Sequence, residues 1–100
     1  MLLSEAINRS SGAREHGVVV TEQSLIFACD RCGQSTTARD ADVDHPGGDV
    51  VYSCPNDNAT LAKVEARGAY SFREDRLTIK IASEEITWRD FVGSVDQLAE

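Results

Sequence analysis

The sequence predicts a small α+β domain in which one antiparallel β-sheet carries cysteine-bearing turns and a C-terminal amphipathic helix. Two observations predict this class. Short apolar runs of strand length recur between residues 18 and 81, separated by polar or turn-forming residues. The last segment instead spaces its apolar residues at helical intervals. The 100 residues contain no internal repeat, and we expect them to form a single domain.

The N-terminal half is predicted to contain one short helix and three strands. The helix covers residues 2–8 and ends at the breaker Ser10-Ser11-Gly12. Residues 38–49 are polar and close with a Pro-Gly-Gly turn, so they are predicted to form a loop. The strands are predicted at the short apolar runs of residues 18–20, 24–28 and 50–52.

The segment 59–67 fits two structures equally well. Its apolar and polar residues alternate as in a strand, yet it also suits a helix capped by Asn58 and stopped by Gly68. From residue 69 the alternation favours a strand. A tight turn at 73–76 is then followed by a returning strand, in which Leu77, Ile79 and Ile81 alternate with polar residues. The pattern therefore predicts a C-terminal hairpin.

The final segment predicts a helix, so that hairpin and helix together cover residues 69–99. Thr87 can cap this helix, with Asp90 in the capping-box position. We expect the apolar face to pack on the sheet and to bury the single tryptophan; the alternative is that Trp88 and Phe91 face a partner. The predicted face comprises Trp88, Phe91, Val92, Val95, Leu98 and Ala99.

The three cysteines lie in two turns that each follow a predicted strand. The first turn is Cys29-Asp30-Arg31-Cys32-Gly33, a C-x-x-C-G sequence whose two thiolates can bind one metal ion. The glycine permits the positive φ that such a turn often needs. The second turn is Cys54-Pro55-Asn56-Asp57.

Over residues 24–60 this arrangement resembles a zinc ribbon, whose two cysteine turns, or knuckles, face each other at the tips of β-hairpins. The resemblance implies a structural zinc ion in a tetrahedral site built from Cys29, Cys32, Cys54 and a fourth ligand. The chain departs from the family at Asp57, where the pattern C-P-x-C has cysteine. Asp57 could supply a carboxylate ligand, His45 could fold back and replace it, or the site could hold no metal.

Charge and composition exclude several classes of partner. The net charge is −7, from 10 basic and 17 acidic residues, and the basic residues form no stripe. Direct nucleic-acid binding and binding to acidic membranes are therefore not expected. The first residues lack the features of a signal peptide, and an odd cysteine count fits poorly with a disulfide framework. We expect a soluble, cytoplasmic protein.

These patterns predict a non-enzymatic, metal-stabilised module that binds a protein. One alternative is a structural or adaptor subunit of a larger assembly, such as a virion or a multiprotein complex. A second is a zinc ribbon associated with transcription or translation. A thiol redox protein is a further alternative, although the residues after Cys32 lack the amphipathic helix that activates such a thiol. The sequence contains no constellation of catalytic residues.

Overall fold

The computed structural model of the protein describes residues 1–92 and shows two antiparallel four-stranded sheets instead of the one predicted. The strand orders are β2-β1-β7-β8 in the first sheet and β3-β4-β5-β6 in the second. With the short helices, this is consistent with the predicted α+β class. The helices are α1 Leu3–Asn8 and α2 Ser11–His16, and the strands are β1 Leu25–Ala28, β2 Ser35–Thr37, β3 Asp42–Asp44, β4 Val50–Ser53, β5 Thr60–Val64, β6 Tyr70–Phe72, β7 Leu77–Ile81 and β8 Glu84–Thr87.

The N-terminal region is more helical than predicted. The first helix ends near the predicted breaker, but Ser10 caps a second helix, since its side chain accepts a hydrogen bond from the backbone N–H of Ala13. Residues 18–20 form no strand, and that prediction is wrong. The Asn8 side-chain amide binds both backbone groups of Val20, at 2.7 and 2.9 Å, so they are not available to a β-ladder. Val19 is 82% exposed.

The polar segment before β4 contains strands that the sequence did not reveal. Part of the predicted loop, residues 38–49, is β3, and β2 precedes it. All three residues of β3 are exposed and two are aspartates, so the strand lacks the alternation that marks a half-buried strand. Both strands lie at sheet edges. The ambiguous segment resolves as β5, in which Leu61, Ala62 and Val64 are buried.

The predicted C-terminal hairpin does not form between residues 70–72 and 77–81. Strand β6 pairs with β5, whereas β7 pairs with β1 and β8. The connection between them includes a 3-10 turn at Glu74–Arg76 and carries the chain from one sheet to the other. Alternation correctly indicated both strands, but it carries no information about which strands pair.

The chain after β8 packs on the core as predicted. The Thr87 hydroxyl accepts a hydrogen bond from the Asp90 backbone N–H at 3.1 Å, and residues 88–92 are helical. Trp88 and Phe91 are buried, and the Trp88 ring meets the Phe72 ring edge-on at 4.9 Å. Val95, Leu98 and Ala99 lie outside the described residues.

A polar network ties α1 to the second sheet. The Tyr52 hydroxyl accepts a hydrogen bond from the Leu3 backbone N–H at 2.9 Å and donates one to the Glu22 carboxylate. Glu22 also accepts the backbone N–H of Ser4 at 3.0 Å. Burial, followed by the bond to Glu22, raises the pKa of Tyr52, so its phenol remains a donor. The first N–H groups of this helix are thereby satisfied by side chains.

Within residues 1–92, the helices are too short or too polar to cross a lipid bilayer.

We expect Tyr52→Phe to lower the free energy of unfolding by about 1–3 kcal/mol, because it leaves the buried Leu3 N–H and Glu22 carboxylate without their partner. Urea denaturation followed by circular dichroism measures the change. Tyr70→Phe is the matched control, since the Tyr70 hydroxyl makes no hydrogen bond within the described chain; we expect a change within about 0.5 kcal/mol. Equal losses in both variants would contradict this role for Tyr52.

Candidate metal centre

Two hairpin loops of equal length form the candidate site. Residues 29–34 connect β1 to β2, and residues 54–59 connect β4 to β5, so each loop has six residues. We call them the first and second knuckle loops. Because β1 and β4 belong to different sheets, each sheet contributes one loop.

The two knuckle loops share one backbone hydrogen-bond pattern. In each, the N–H of the first residue binds the carbonyl of the sixth: Cys29 to Gln34 at 3.0 Å, and Cys54 to Ala59 at 2.8 Å. In each, the N–H of the fifth residue binds the carbonyl of the first, with N–O distances of 3.0 Å for Gly33 and 2.9 Å for Asn58. The loops are therefore structural equivalents despite their different sequences.

The fifth residue of each knuckle loop has a left-handed backbone conformation. Gly33 has φ of 74° and Asn58 has φ of 62°. Glycine and asparagine are the residues that adopt this conformation at the lowest cost, which explains both choices. Asn58 therefore supplies the left-handed residue of the second loop, as Gly33 supplies that of the first. Sequence reasoning used it only as a helix cap for residues that turned out to be a strand.

This equivalence places Asp57 at the position of Cys32. Both are the fourth residue of their loop, whereas Cys29 and Cys54 are the first. The first-position cysteines are buried, with 1% and 0% exposure, and Cys32 is exposed. At the position where the first loop has the thiol of Cys32, the second loop therefore has the carboxylate of Asp57.

The four side chains converge. One ligand atom from each of Cys29, Cys32, Cys54 and Asp57 lies within 4.8 Å of all the others. The sulfurs of Cys32 and Cys54 are 3.7 Å apart, and the Cys29 sulfur lies 3.4 and 3.6 Å from the two Asp57 oxygens. Each of these close contacts joins one knuckle loop to the other.

The two close contacts between the loops have the lengths expected at a tetrahedral zinc ion. With Zn–S bonds of about 2.3 Å, neighbouring sulfurs of a tetrahedron lie about 3.8 Å apart, and a sulfur and a carboxylate oxygen lie about 3.6 Å apart. All three cysteines are free thiols, and three sulfurs with one carboxylate form a ligand set suited to zinc. The residues present therefore fit the group that the ribbon resemblance implies.

The surroundings of Asp57 favour its charged form. The Ala59 backbone N–H donates to Oδ1 at 3.0 Å, and this bond is the largest cause that lowers the pKa of Asp57. Hydrogen bonds from the Cys29 and Cys54 thiols and the charge of Arg31 lower this pKa further, against an opposing effect of desolvation. A deprotonated carboxylate oriented by a backbone N–H is ready to bind a cation.

Asn56 links the two knuckle loops outside the ligand set. Its amide nitrogen lies 4.0 Å from the Cys32 sulfur and also donates to the Gln34 side chain. A donor directed at a ligand sulfur stabilises negative charge there. Sequence reasoning missed this residue, although its position between Cys54 and Asp57 was a usable signal.

His45 does not join the four converging side chains. It follows β3, near the start of β4, whereas Cys54 follows the other end of that strand. At about 3.3 Å per strand residue, the four residues of β4 separate these positions by more than 10 Å. The structure thus brings Asp57, and not His45, to the three cysteines.

The surroundings of the C-x-x-C sequence differ from those of an activated redox dithiol. After Cys32 the chain enters β2, so within the described residues no helix begins at either thiol of this pair. A helix N-terminus is the feature that lowers the pKa of the attacking thiol in dithiol oxidoreductases.

Comparisons of the chain with protein-family models, curated proteins and solved structures find no match.

We expect Gly33→Ala to lower the free energy of unfolding by about 1–2 kcal/mol, because a Cβ is strained at positive φ. A new methyl group would meet no atom within 4 Å, so backbone strain alone causes the loss. Gly33→Asn gives the first knuckle loop the residue of the second and should lose clearly less stability. Chemical denaturation measures both, and an equal loss would show that the two fifth positions are not equivalent.

Proposed function

We propose that the protein is a non-enzymatic binding module in which a structural zinc ion joins two sheets and so fixes the surface that recognises a protein partner. The observation that carries this proposal is the convergence of Cys29, Cys32, Cys54 and Asp57 from two equivalent loops. A small domain gains much from such a link, because the free energy of metal binding adds to that of folding.

The ligand set supports a structural rather than a catalytic ion. Catalytic zinc has three protein ligands and an open position for water or substrate. Here four protein side chains converge and would leave no open position on a bound ion, and two of them, Cys29 and Cys54, are buried. When bound, the ion would hold both knuckle loops at a fixed separation while Ala59 and Asn56 orient the ligands.

The charge balance supports a protein partner over a nucleic acid. The chain carries a net charge of −7, and nucleic-acid binding relies on many basic side chains that neutralise phosphates. A module with a rigid metal centre and an acidic surface is better suited to a protein.

Elemental analysis of purified protein tests the metal and its fourth ligand together. We expect about one zinc per chain and at least a tenfold weaker affinity in Asp57→Ala, since even outer-shell changes cost about 10–100-fold. Asp57→Cys should retain the ion, because it restores the ribbon pattern at an equivalent position.

His45→Ala is the control for this experiment and should leave the metal content unchanged. A chelator should lower the melting temperature of the wild type, and it should have little effect on Asp57→Ala. Absence of metal from wild-type protein prepared with zinc would contradict the metal site, and loss of metal in His45→Ala would contradict the choice of Asp57.

The binding role is tested by affinity capture with immobilised protein after nuclease treatment. We expect one protein partner to be retained by the wild type and lost in metal-free Cys54→Ser, because the knuckle loops are then no longer fixed. His45→Ala should retain it. Retention of nucleic acid instead, with steep weakening as salt is raised, would contradict the proposal and favour a nucleic-acid function.

A further inference from the structure

A cavity of about 130 Å³ opens beside the metal centre and is lined by both sheets. Phe27 from β1 and Leu61 from β5 contribute apolar surface, and they are 1% and 8% exposed. Arginines from the first knuckle loop and from the connection between the sheets contribute positive charge. The lining therefore combines an apolar part with a cationic part.

The positive charge is concentrated at this place. Arg31, Arg73 and Arg76 line the cavity, which is three of the ten basic residues in the chain. Asp30 lines the cavity with them, and Asp75 pairs with Arg73 and Arg76, so three positive charges meet two negative charges and the local sum is +1. The whole chain has a net charge of −7. A local excess of positive charge on an acidic chain favours an anionic ligand at this place.

Asp30 orients two of the arginines without occupying all their donors. It pairs with Nη1 of Arg73, and its Oδ1 lies 2.8 Å from Nε of Arg76. This second contact is outside hydrogen-bond geometry, so the buried Nε has no hydrogen-bond partner. Asp75 approaches Arg73 at 3.5 Å. Asp75 also lies 3.9 Å from Nε of Arg76. No hydrogen bond within residues 1–92 uses the terminal nitrogens of Arg76.

Arg31 is the second source of unused donors. It forms no ion pair with the described part of the chain, although its charge acts on Asp57. Guanidinium groups bind carboxylates through two parallel hydrogen bonds, which favours a planar oxyanion as the ligand. Arg31 thus presents an unpaired guanidinium at the cavity, and Arg76, whose Nε is paired with Asp30 and Asp75, presents its terminal nitrogens there.

The volume of the cavity limits the size of the apolar group that can bind together with the oxyanion. Sites for complete small molecules usually enclose about 300–1,000 Å³, whereas a cavity of about 150 Å³ holds one benzene. This cavity has room for one apolar side chain. The C-terminal residue of a polypeptide carries its carboxylate on the same residue as such a side chain, so it satisfies both parts of the lining at once.

We propose that this cavity binds the C-terminal residue of a partner protein, with the carboxylate on Arg31 and Arg76 and an apolar side chain between Phe27 and Leu61. The inference rests on the proposed protein-binding function and names the chemistry of the partner. It does not rest on the ion, since side chains of this chain form the whole lining.

Titration of the isotope-labelled full chain, followed by NMR, tests the proposal. The probe is N-acetyl-Ala-Ala-Ala-Leu with a free carboxylate, and we expect saturable shifts at the cavity residues. Its C-terminal amide should bind about tenfold more weakly, because it lacks the charge that pairs with arginine. Arg76→Gln and Arg31→Gln should each cause a similar loss, while the exposed Arg67→Gln should change nothing.

The controls separate this inference from the metal site. Zinc content is measured in the same samples, so binding without zinc would contradict the metal proposal alone, and zinc without binding would contradict the cavity proposal alone. Equal affinity of acid and amide would overturn the role of the carboxylate. Tighter binding of free 4-methylpentanoate than of the peptide would overturn the protein partner and assign the cavity to a small acid.

Discussion

The convergence of two hairpin tips on one point is the constraint on which the rest of the structure depends. Each sheet has four strands and each contributes one knuckle loop. The close contacts Cys32–Cys54 and Cys29–Asp57 both cross from one loop to the other. The relative position of the two sheets is therefore coupled to the positions of the four side-chain atoms that converge between them. A displacement of one sheet would move these atoms apart, and a displacement of these atoms would shift the sheets.

Two other contacts reinforce that coupling away from the ligands. Asp30 in the first knuckle loop pairs with Arg73, which lies on the connection between the sheets. The ring of Phe27 in the first sheet meets that of Phe72 in the second at 6.4 Å, and Phe72 in turn packs on Trp88. Exposed ion pairs contribute little, whereas buried aromatic pairs contribute about 0.5–1.5 kcal/mol beyond their buried area. The aromatic contacts therefore carry most of this reinforcement.

Local sequence signals predicted the parts of this fold that have a local cause. The pairing of Thr87 with Asp90 and the alternation in β7 are examples, as is the strand-turn context of Cys29 and Cys54. The signals failed where a distant residue decides the outcome. Val20 is a β-branched residue that favours strands, yet its backbone N–H and C=O are hydrogen-bonded to the side chain of Asn8. The local sequence could not show this hydrogen bonding, and it could not show that β7 pairs with β1.

The candidate site was predictable for a related reason. Ligand spacing within one loop is a local property, so Cys29, Cys32, Cys54 and Asp57 were all identified from the sequence. The choice between Asp57 and His45 depended on which end of β4 each residue lies near, which is a property of strand pairing. The cluster of arginines at the cavity could not be predicted from local spacing, because it brings together residues from opposite ends of the segment 31–76, which is 46 residues long. Its members are Arg31, Arg73 and Arg76.

The acidic character of β3 has a consequence for how these molecules behave at high concentration. Strand β3 lies at the edge of its sheet, with Asp42 and Asp44 exposed, and β8 ends the other sheet with exposed Glu84 and Glu85. An edge strand offers unpaired backbone groups on which a neighbouring copy can add its own strand. Negative charges on these two edges repel the same edges of identical neighbours, so β3 and β8 are protected against strand addition of the kind that builds fibrous aggregates.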